Sequence, residues 1–284
     1  MTQDYNSFIK WKFDKKIFKT EDYKLNNNIA EKISKKSFKK IVKQYTHITP
    51  ENIQSFFKMN RIIWSSYKGI GVDLGGGVGL VSSIIAKKKE VNKIYCVEIT
   101  NNAVVKCQPI IKRKILNISN EKVISVLGSF DNIELDESSV DFCVAWDAMH
   151  HSKNLNKTLK EARRVLKKNG KFIIVDRAHN NSTTEGEIRK MLNVIYSIDF
   201  LKSNHLPVNK ILTRKMNGER EYRFKEWEIF FENSGFKILK RVLIKENHKK
   251  VLNKKNDAGI KEKIVNFELG GFEKKKIIYL LVKI

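Results

Sequence analysis

Residues 73–79, with the sequence DLGGGVG, constrain the fold of this chain more than any other segment. They close the apolar run 69–74 and open a second apolar run, 78–89, that favours a helix. Glycines at such a bend let the main chain turn tightly and approach a ligand without Cβ clashes. The N-terminus of the following helix also presents unpaired N–H groups. The segment therefore predicts a strand, a turn and a helix that together bind a ligand.

Strand-like and helix-like runs alternate from residue 69 onward. The predicted strands are 69–74, 93–99, 122–127, 140–145 and 171–176. The predicted helices are 78–89, 101–117 with a bend near Pro109, and 155–168, closed by a left-handed turn at Asn169 and Gly170. A helix at 224–234 and strands at 235–245 and 275–284 follow. This alternation indicates a parallel sheet that is buried on both faces.

Two segments stand outside this alternation. Residues 1–68 are rich in lysine and mostly helical in pattern, so we predict that they form a helical cap on the main domain, 69–284. Residues 179–223 interrupt the rhythm and carry several aromatic side chains. We predict that this insertion forms a lid that excludes water from a ligand site.

The glycine spacing argues against two familiar phosphate-binding motifs. A dinucleotide fingerprint starting at Gly75 would need a third glycine where Leu80 stands. A Walker-type loop would need Gly-Lys-Ser/Thr, which does not follow the turn. Glu98, at the end of the next predicted strand, can accept hydrogen bonds from both hydroxyls of a ribose. Together these features favour a nucleoside ligand and disfavour a simple dehydrogenase.

The formal net charge of +25 raises the question of a nucleic-acid partner. The chain has 46 lysines against 10 arginines, and the lysines are spread over its whole length. Arginine is the residue favoured for bidentate contacts with phosphates and bases. We therefore interpret the charge as a compositional preference and keep nucleic acid as an alternative partner.

The sequence predicts a cytoplasmic protein. Its first residues contain no apolar segment of a secretory signal, and no apolar run reaches the roughly 18 residues that span a bilayer. The three cysteines, Cys96, Cys107 and Cys143, form no CxxC pair. We expect them to be buried thiols in a reducing compartment.

Five segments, in this order, resemble the motifs of class I methyltransferases that use S-adenosylmethionine (SAM). They are 73–79 for motif I, Glu98 for the ribose acid, 128–133 for the loop after the third strand, 138–151 for the fourth-strand motif ending in two histidines, and 159–171 for the E-x-x-R-V-L segment. The resemblance runs from about residue 69 to residue 178. It implies a Rossmann-like fold with a seven-stranded, mostly parallel sheet, helices on both faces and an antiparallel last strand.

The resemblance also implies how SAM is held. The main chain of 75–79 would line its methionine end, Asp73 would orient its amino group, and Glu98 would hold the ribose. The residues assigned to the cofactor are Asp73, Gly75, Gly76, Gly77, Gly79, Glu98, Ser129, Phe130, Asp131 and Trp146. Ser129 stands where the family often has an acid for the adenine amino group. Either Asp131 substitutes for that acid or the cofactor affinity is lower.

Methyl transfer is an in-line displacement in which positioning supplies much of the rate, and an oxygen nucleophile usually needs a base. Candidates lie where strands of an open α/β sheet end. We name His150, His151 and Asp147 as catalytic candidates and interpret Asp176 mainly as a cap of the following turn. No cluster of histidines, cysteines and acids has zinc-binding spacing, so we predict no metal.

The predicted function is methyl transfer from SAM to an oxygen or nitrogen atom of a small-molecule acceptor, such as a metabolite, a sugar or a lipid-linked intermediate. Two alternatives remain. One is an RNA methyltransferase that uses the basic surface, and the other is a homologue that binds SAM without catalysing a reaction.

Overall fold

Eight strands among the described residues form one mixed sheet in the computed structural model, which describes residues 7–46, 60–116, 122–203, 206–244 and 275–284. The strands are β1 (Phe8–Lys10), β2 (Gly69–Leu74), β3 (Val91–Glu98), β4 (Val123–Leu127), β5 (Val140–Trp146), β6 (Leu166–Ala178), β7 (Phe236–Ile244) and β8 (Lys275–Lys283). Their order across the sheet is β1-β4-β3-β2-β5-β6-β8-β7. Strand β8 is antiparallel to β6 and β7, whereas the other neighbouring pairs are parallel. The mostly parallel Rossmann-like sheet with an antiparallel last strand is confirmed.

The predicted number of seven strands is wrong by one, because β1 adds a parallel strand at the edge beside β4. Phe8 pairs with Ser125, and Lys10 pairs with Leu127. Trp11, directly after β1, is buried and donates its main-chain N–H to the Leu127 carbonyl at 3.0 Å. A strand of three residues is too short to show a period-two pattern in sequence. Pairing with β4 defines this strand.

Nine helices among the described residues accompany the sheet. They are α1 (Glu21–Ser34), α2 (Phe38–Thr46), α3 (Arg61–Ser66), α4 (Leu80–Ala86), α5 (Gln108–Leu116), α6 (Leu155–Val165), α7 (Glu185–Leu192), α8 (Ile198–Ser203) and α9 (Phe224–Asn233). Helix α4 follows the end of β2, and α6 is the next α-helix after the end of β5, so both come after strand ends that carry the predicted site. None of the helices in the described part of the chain is long and apolar enough to cross a bilayer.

The apolar core lies on both faces of the sheet. Val144 belongs to a cluster with buried side chains of α1, α2, α4 and α5. Its neighbour Cys143 belongs to a second cluster with α6 and α9, including Trp227. Adjacent strand residues point to opposite faces, so the two clusters sandwich the sheet. Burying one large apolar side chain contributes about 1.5–3 kcal/mol to the stability of the fold. The predicted helices on both faces of the sheet are confirmed.

Two predicted helices differ from the observed ones at their ends. Helix α6 ends at Val165 and not at residue 168, because Leu166 already pairs with Val140 as the start of β6. Asn169 does adopt the predicted left-handed conformation, with φ of 62°. It lies, however, at a register shift inside β6 and does not cap the helix.

The predicted irregularity near Pro109 is a π-helical turn, Ala103–Cys107, that leads into α5. Proline lacks the N–H that a regular α-helix needs. The chain therefore takes a wider turn just before Pro109. Cys96, Cys107 and Cys143 are free and buried, as predicted.

The N-terminal segment and the insertion pack against each other. Leu25 of α1 joins a small apolar cluster whose other buried members come from the insertion: Tyr196, Leu201, Leu206 and Leu212. Lys210 of the insertion also pairs with Glu21 of α1 at 3.1 Å. The N-terminal segment contributes a strand as well as helices, so it is more than a helical cap. The division of the chain at residue 68 stays a prediction.

Candidate active site

The glycine turn joins β2 to α4 in a conformation that needs glycine. Gly75, Gly77 and Gly79 have φ values of 73°, 52° and 80°, in the left-handed region that side chains disfavour. The N–H groups of Gly75 and Gly76 both donate to the Val97 carbonyl of β3, at 3.0 and 2.9 Å. A Cβ on Gly75 would lie only 2.7 Å from the Ala148 side chain. The turn is therefore tied to β3 and lies against the segment that follows β5.

Glu98 ends β3 with its carboxylate directed at this turn. Its Oε2 accepts from the Gly77 N–H at 3.0 Å, and its Oε1 accepts from the Thr100 N–H at 2.7 Å. A carboxylate has about four acceptor positions, so both oxygens keep capacity for further donors such as hydroxyl groups. The acid and the turn, which the sequence paired only by spacing, thus form one structural unit.

Asp73 lies below the turn and is fully buried. Its Oδ2 accepts from the Ser82 hydroxyl at 2.6 Å, whereas its Oδ1 is buried and has no hydrogen-bond partner among the described residues. Burial raises the pKa of Asp73 to about 7, although the Ser82 hydrogen bonds lower it and the Glu98 charge raises it further. A buried acceptor without a donor calls for one. The amino group at the methionine end of SAM would supply such a donor, so the residues present fit the cofactor.

The loop after β4 carries the three residues assigned to the adenine. The Phe130 ring lies beside the turn, since a Cβ on Gly75 would stand 3.7 Å from it. The Ser129 hydroxyl accepts from the Asp131 N–H at 3.1 Å. The Asp131 carboxylate accepts from the Thr158 hydroxyl of α6. Asp131 therefore anchors a helix, and this contact competes with a role as the substitute acid for adenine.

Two residues near the cofactor site carry no sequence motif. Gln108 is buried and donates from Nε2 to the Gly77 carbonyl at 2.9 Å. Tyr23 of α1 is the second. Burial raises the pKa of Tyr23, a hydrogen bond from the Asn101 main chain lowers it, and the charge of Glu98 raises it further. Tyr23 thus lies within electrostatic reach of Glu98. Only the packing of α1 on the domain could reveal it.

Trp146 and Asp147 mark the end of β5. Asp147 has a left-handed φ of 53°, and its side chain is 44% exposed. Lys276 of β8 lies 3.5 Å from its Oδ2 and 5.6 Å from the centre of the Trp146 ring. Of the three catalytic candidates, Asp147 is the one that faces solvent, and it is paired with a cation.

His150 and His151 pack together, with ring centroids 4.1 Å apart. His150 is 3% exposed, and its Nδ1 lies 2.7 Å from Asp176 Oδ1. The Asp176 carboxylate also accepts from the His150 N–H at 3.2 Å. His151 Nδ1 lies 3.2 Å from the Gly218 carbonyl. Asp176 therefore does more than cap a turn, because it fixes both the ring and the main chain of His150.

The surroundings of His151 favour the neutral form of its imidazole. Burial lowers its pKa well below the usual value, and the charges of His150 and Arg177 lower it further. Asp147 and the Gly218 hydrogen bond oppose the shift but do not cancel it.

A buried network of charges surrounds the histidines, and most of it comes from the insertion. Glu219 contacts Arg177, lies 3.4 Å from Arg214 Nη2 and lies 3.6 Å from His150 Nε2. Glu221 contacts Arg214 and lies 2.7 Å from His179 Nε2. Burial alone would raise the pKa of Glu221, but Arg177, the His179 hydrogen bond and Arg214 together lower it strongly. No motif marks Arg214, Glu219 or Glu221 in the sequence, so spacing alone does not predict them.

Comparisons with known proteins point to one family. Residues 72–174 match the methyltransferase domain family, and this range contains the turn, Glu98 and both histidines. The sarcosine/dimethylglycine N-methyltransferase of Aphanothece halophytica is 33% identical over 69 residues, which are 24% of this chain and 25% of that protein. The aligned segment thus spans about a quarter of that relative. The comparisons support a class I SAM-dependent methyltransferase domain over residues 72–174.

Solved structures of this methyltransferase fold cover most of the chain. A chain from Galdieria sulphuraria, assigned as a sarcosine dimethylglycine methyltransferase, superposes with a TM-score of 0.58 over 81% of this chain and 84% of that one, at 18% identity. The geranyl diphosphate C-methyltransferase of Streptomyces coelicolor A3(2) superposes with a TM-score of 0.57 over 82% and 79%, at 12% identity. Identities this low establish the fold alone. The matched family supports SAM as the cofactor.

Proposed function

We propose that this protein transfers a methyl group from SAM to an oxygen or nitrogen atom of a small-molecule acceptor, such as a metabolite, a sugar or a lipid-linked intermediate. One observation carries the proposal. Glu98 accepts the Gly77 N–H at 3.0 Å, so the ribose acid and the glycine turn form a single cradle. The segment with the two histidines lies against the same turn through Ala148.

The proposed cofactor contacts follow from this cradle. The main chain of 75–79 lines the methionine end, Asp73 receives the amino group, and Glu98 receives the ribose hydroxyls. Phe130 and Ser129 lie along the adenine, and Trp146, at the end of β5, is a further proposed cofactor contact. When bound, SAM supplies an electrophilic methyl group on a sulfonium, which makes in-line alignment of the acceptor the main task of the chain.

The acceptor side would be formed by residues at the carboxyl ends of β5 and β6, where open α/β sheets bind their ligands. We place His150, His151 and Asp147 next to the acceptor. Asp176 orients His150, and the insertion covers the pair because Gly218 and Glu219 lie against the two rings. This cover would keep water from the reacting atoms.

The charges near the histidines favour a small acceptor over RNA. An RNA-binding mouth would present unpaired basic side chains to phosphates. Here Arg177 and Arg214 contact Glu219, and Lys276 lies 3.5 Å from Asp147. These three basic groups are thus matched by carboxylates. The lysines spread over the rest of the surface do not distinguish the alternatives.

The test is a transfer assay with methyl-labelled SAM and a fractionated cell extract. We expect label to enter a small-molecule fraction. The transfer rate should change little between about 50 and 200 mM salt, because binding of a small acceptor releases few counterions. Label in RNA, with a rate that falls steeply with salt, would favour the RNA alternative. Tight SAM binding without transfer to any fraction would favour the non-catalytic homologue.

A further inference from the structure

We propose that His150, His151 and Glu219 bind one divalent transition-metal ion of the zinc type. One ligand atom from each of these residues lies within 4.8 Å of the other two. Two ligands come from the turn after β5 and the third comes from the insertion, 68 residues further along the chain. The inference rests on the proposed function only where it places this ion beside the methyl acceptor.

The spacing of the ligand atoms suits a metal better than a hydrogen bond. His150 Nε2 lies 3.6 Å from Glu219 Oε2. This is too long for a hydrogen bond, which needs about 2.7–3.2 Å. Zinc holds nitrogen and oxygen ligands at about 2.0–2.1 Å in a tetrahedron, so two of its ligands stand roughly 3.4 Å apart. A small contraction would bring the observed pair to that separation.

Both histidines also have the outer contacts that metal-bound histidines typically have. A ligating imidazole usually gives its second ring nitrogen to a carboxylate or a main-chain carbonyl, which fixes the ring and its tautomer. His150 Nδ1 lies 2.7 Å from Asp176 Oδ1, and His151 Nδ1 lies 3.2 Å from the Gly218 carbonyl. Donation from both Nδ1 atoms leaves the lone pair on Nε2 of each ring.

Glu219 is held in place by two arginines, which approach the same oxygen, Oε2, that faces His150. Arg177 contacts its carboxylate, and Arg214 Nη2 lies 3.4 Å from Oε2. Ligating carboxylates are commonly oriented by hydrogen-bond donors of this kind. The competing explanation is a network of ion pairs that needs no metal.

A second group, Asp147, His150 and Asp176, also has its ligand atoms within 4.8 Å of one another. It is the weaker candidate. Asp176 already accepts from His150 Nδ1 and from the Arg177 N–H at 2.8 Å, and Asp147 faces Lys276. Asp176 thus already holds the ring and the main chain of His150 from the Nδ1 side, and Asp147 is 44% exposed, so this group is less suited to hold an ion.

Two imidazoles and one carboxylate form a donor set that suits zinc and related ions. Three protein ligands leave a fourth position open, and a bound metal lowers the pKa of a hydroxyl or water in that position. Glu219 is 12% exposed, so the site lies at the edge of the buried network where a small molecule could enter. The chemistry therefore points to an acceptor that offers a metal-coordinating oxygen.

The experiment titrates the chelator-treated full chain with Zn²⁺ against a chromophoric chelator, and with Co²⁺ by visible absorption. We expect one tight equivalent per chain and a Co²⁺ spectrum of a nitrogen- and oxygen-ligated site. Glu219→Gln and His151→Gln should each weaken Zn²⁺ binding by more than about 100-fold, and Asp176→Asn by about 10–100-fold. The matched control is His179→Gln, which removes a buried imidazole of the same network but no proposed ligand, and it should keep the wild-type affinity.

SAM affinity, measured by calorimetry on every variant, separates the outcomes. Unchanged SAM affinity shows that the variant is folded and that the cofactor site is intact. If the wild type binds no tight equivalent, or if Glu219→Gln and His151→Gln bind Zn²⁺ as tightly as wild type, the metal site is refuted and the ion-pair explanation stands. The proposed methyltransferase function survives that result, because it fails only when SAM binding or methyl transfer fails.

Discussion

The two halves of the candidate site are built in different ways. The cofactor half is a main-chain structure, in which Gly77 and Glu98 meet across neighbouring strands. The acceptor half is a side-chain structure, in which His150 meets Asp176 and Glu219 from distant segments. The first half is encoded within about one strand-turn-helix-strand unit, and the second exists only after the insertion has folded onto the domain. Variants that affect one half and spare the other test this division.

The largest effect is expected for Gly77→Val. Gly77 has a φ of 52°, which a β-branched residue adopts only with strain of order 1–3 kcal/mol, and the turn would change shape. We expect SAM affinity to fall by roughly 100-fold, near the upper end of that strain, while the far-ultraviolet circular dichroism stays native. The control is Gly186→Val in α7, where a side chain would meet only the Thr184 hydroxyl at 3.8 Å. Calorimetry that gives equal SAM affinity for Gly77→Val and wild type would refute the cradle.

Glu98→Ala should have the next largest effect. The change removes the acceptor of the Gly77 and Thr100 N–H groups as well as the proposed ribose ligand. A hydrogen bond to a charged group contributes about 1.5–3 kcal/mol, so we expect SAM to bind about 10–100-fold more weakly. Glu90→Ala is the control, because this exposed acid lies at the other end of β3. Weakening by both variants to the same extent would mean that charge alone matters.

Asp176→Asn should separate the halves. Asp176 fixes the His150 ring at 2.7 Å and its main chain at 3.2 Å, and it lies far from the glycine turn in sequence. We expect turnover of the acceptor to fall by about 10–100-fold, as for other residues that orient a functional imidazole. SAM affinity should change less than about twofold. The control is Asp199→Asn, an exposed acid of α8. A parallel loss of SAM affinity would show that the two halves are not independent.

The smallest effect concerns pH and Asp73, whose pKa burial raises to about 7. The proposed amino-group contact needs ionised Asp73, so binding of SAM must remove the proton that the carboxyl holds below pH 7. Affinity should therefore fall by up to about tenfold for each pH unit below 7 and level off above it. Asp73→Asn should bind weakly with a flat profile between pH 5.5 and 7. Identical profiles for both proteins would remove Asp73 from the cofactor site.

Much of the sheet could be predicted from the sequence, and the exceptions share a cause. Long apolar strands such as β5 and β6 show their pattern locally, because they are buried on both faces. Strand β1 has three residues and becomes a strand only by pairing with β4. Helix α6 ends three residues early because Leu166 pairs with Val140. In both cases a partner strand overrides the local signal.

The candidate site shows the same contrast. The position of Glu98 beside the turn followed from the spacing of two strand ends. The contacts of Asp131 with Thr158, of Tyr23 near Glu98 and of Glu219 near His150 did not. Each of these contacts joins segments that are distant in sequence, and no helix or strand periodicity predicts which residues meet.

By itself, the sequence determined the Rossmann-like sheet, the glycine turn and the acid that faces it, and with them the resemblance to the methyltransferase family. These features depend on main-chain geometry and on neighbouring strands, which short-range spacing encodes. Only the tertiary structure decided that Asp176 orients His150 and that Glu219 and Arg214 of the insertion reach the same edge. The reason is physical: charged side chains are buried only where partners compensate them, and those partners come from segments that folding alone brings together.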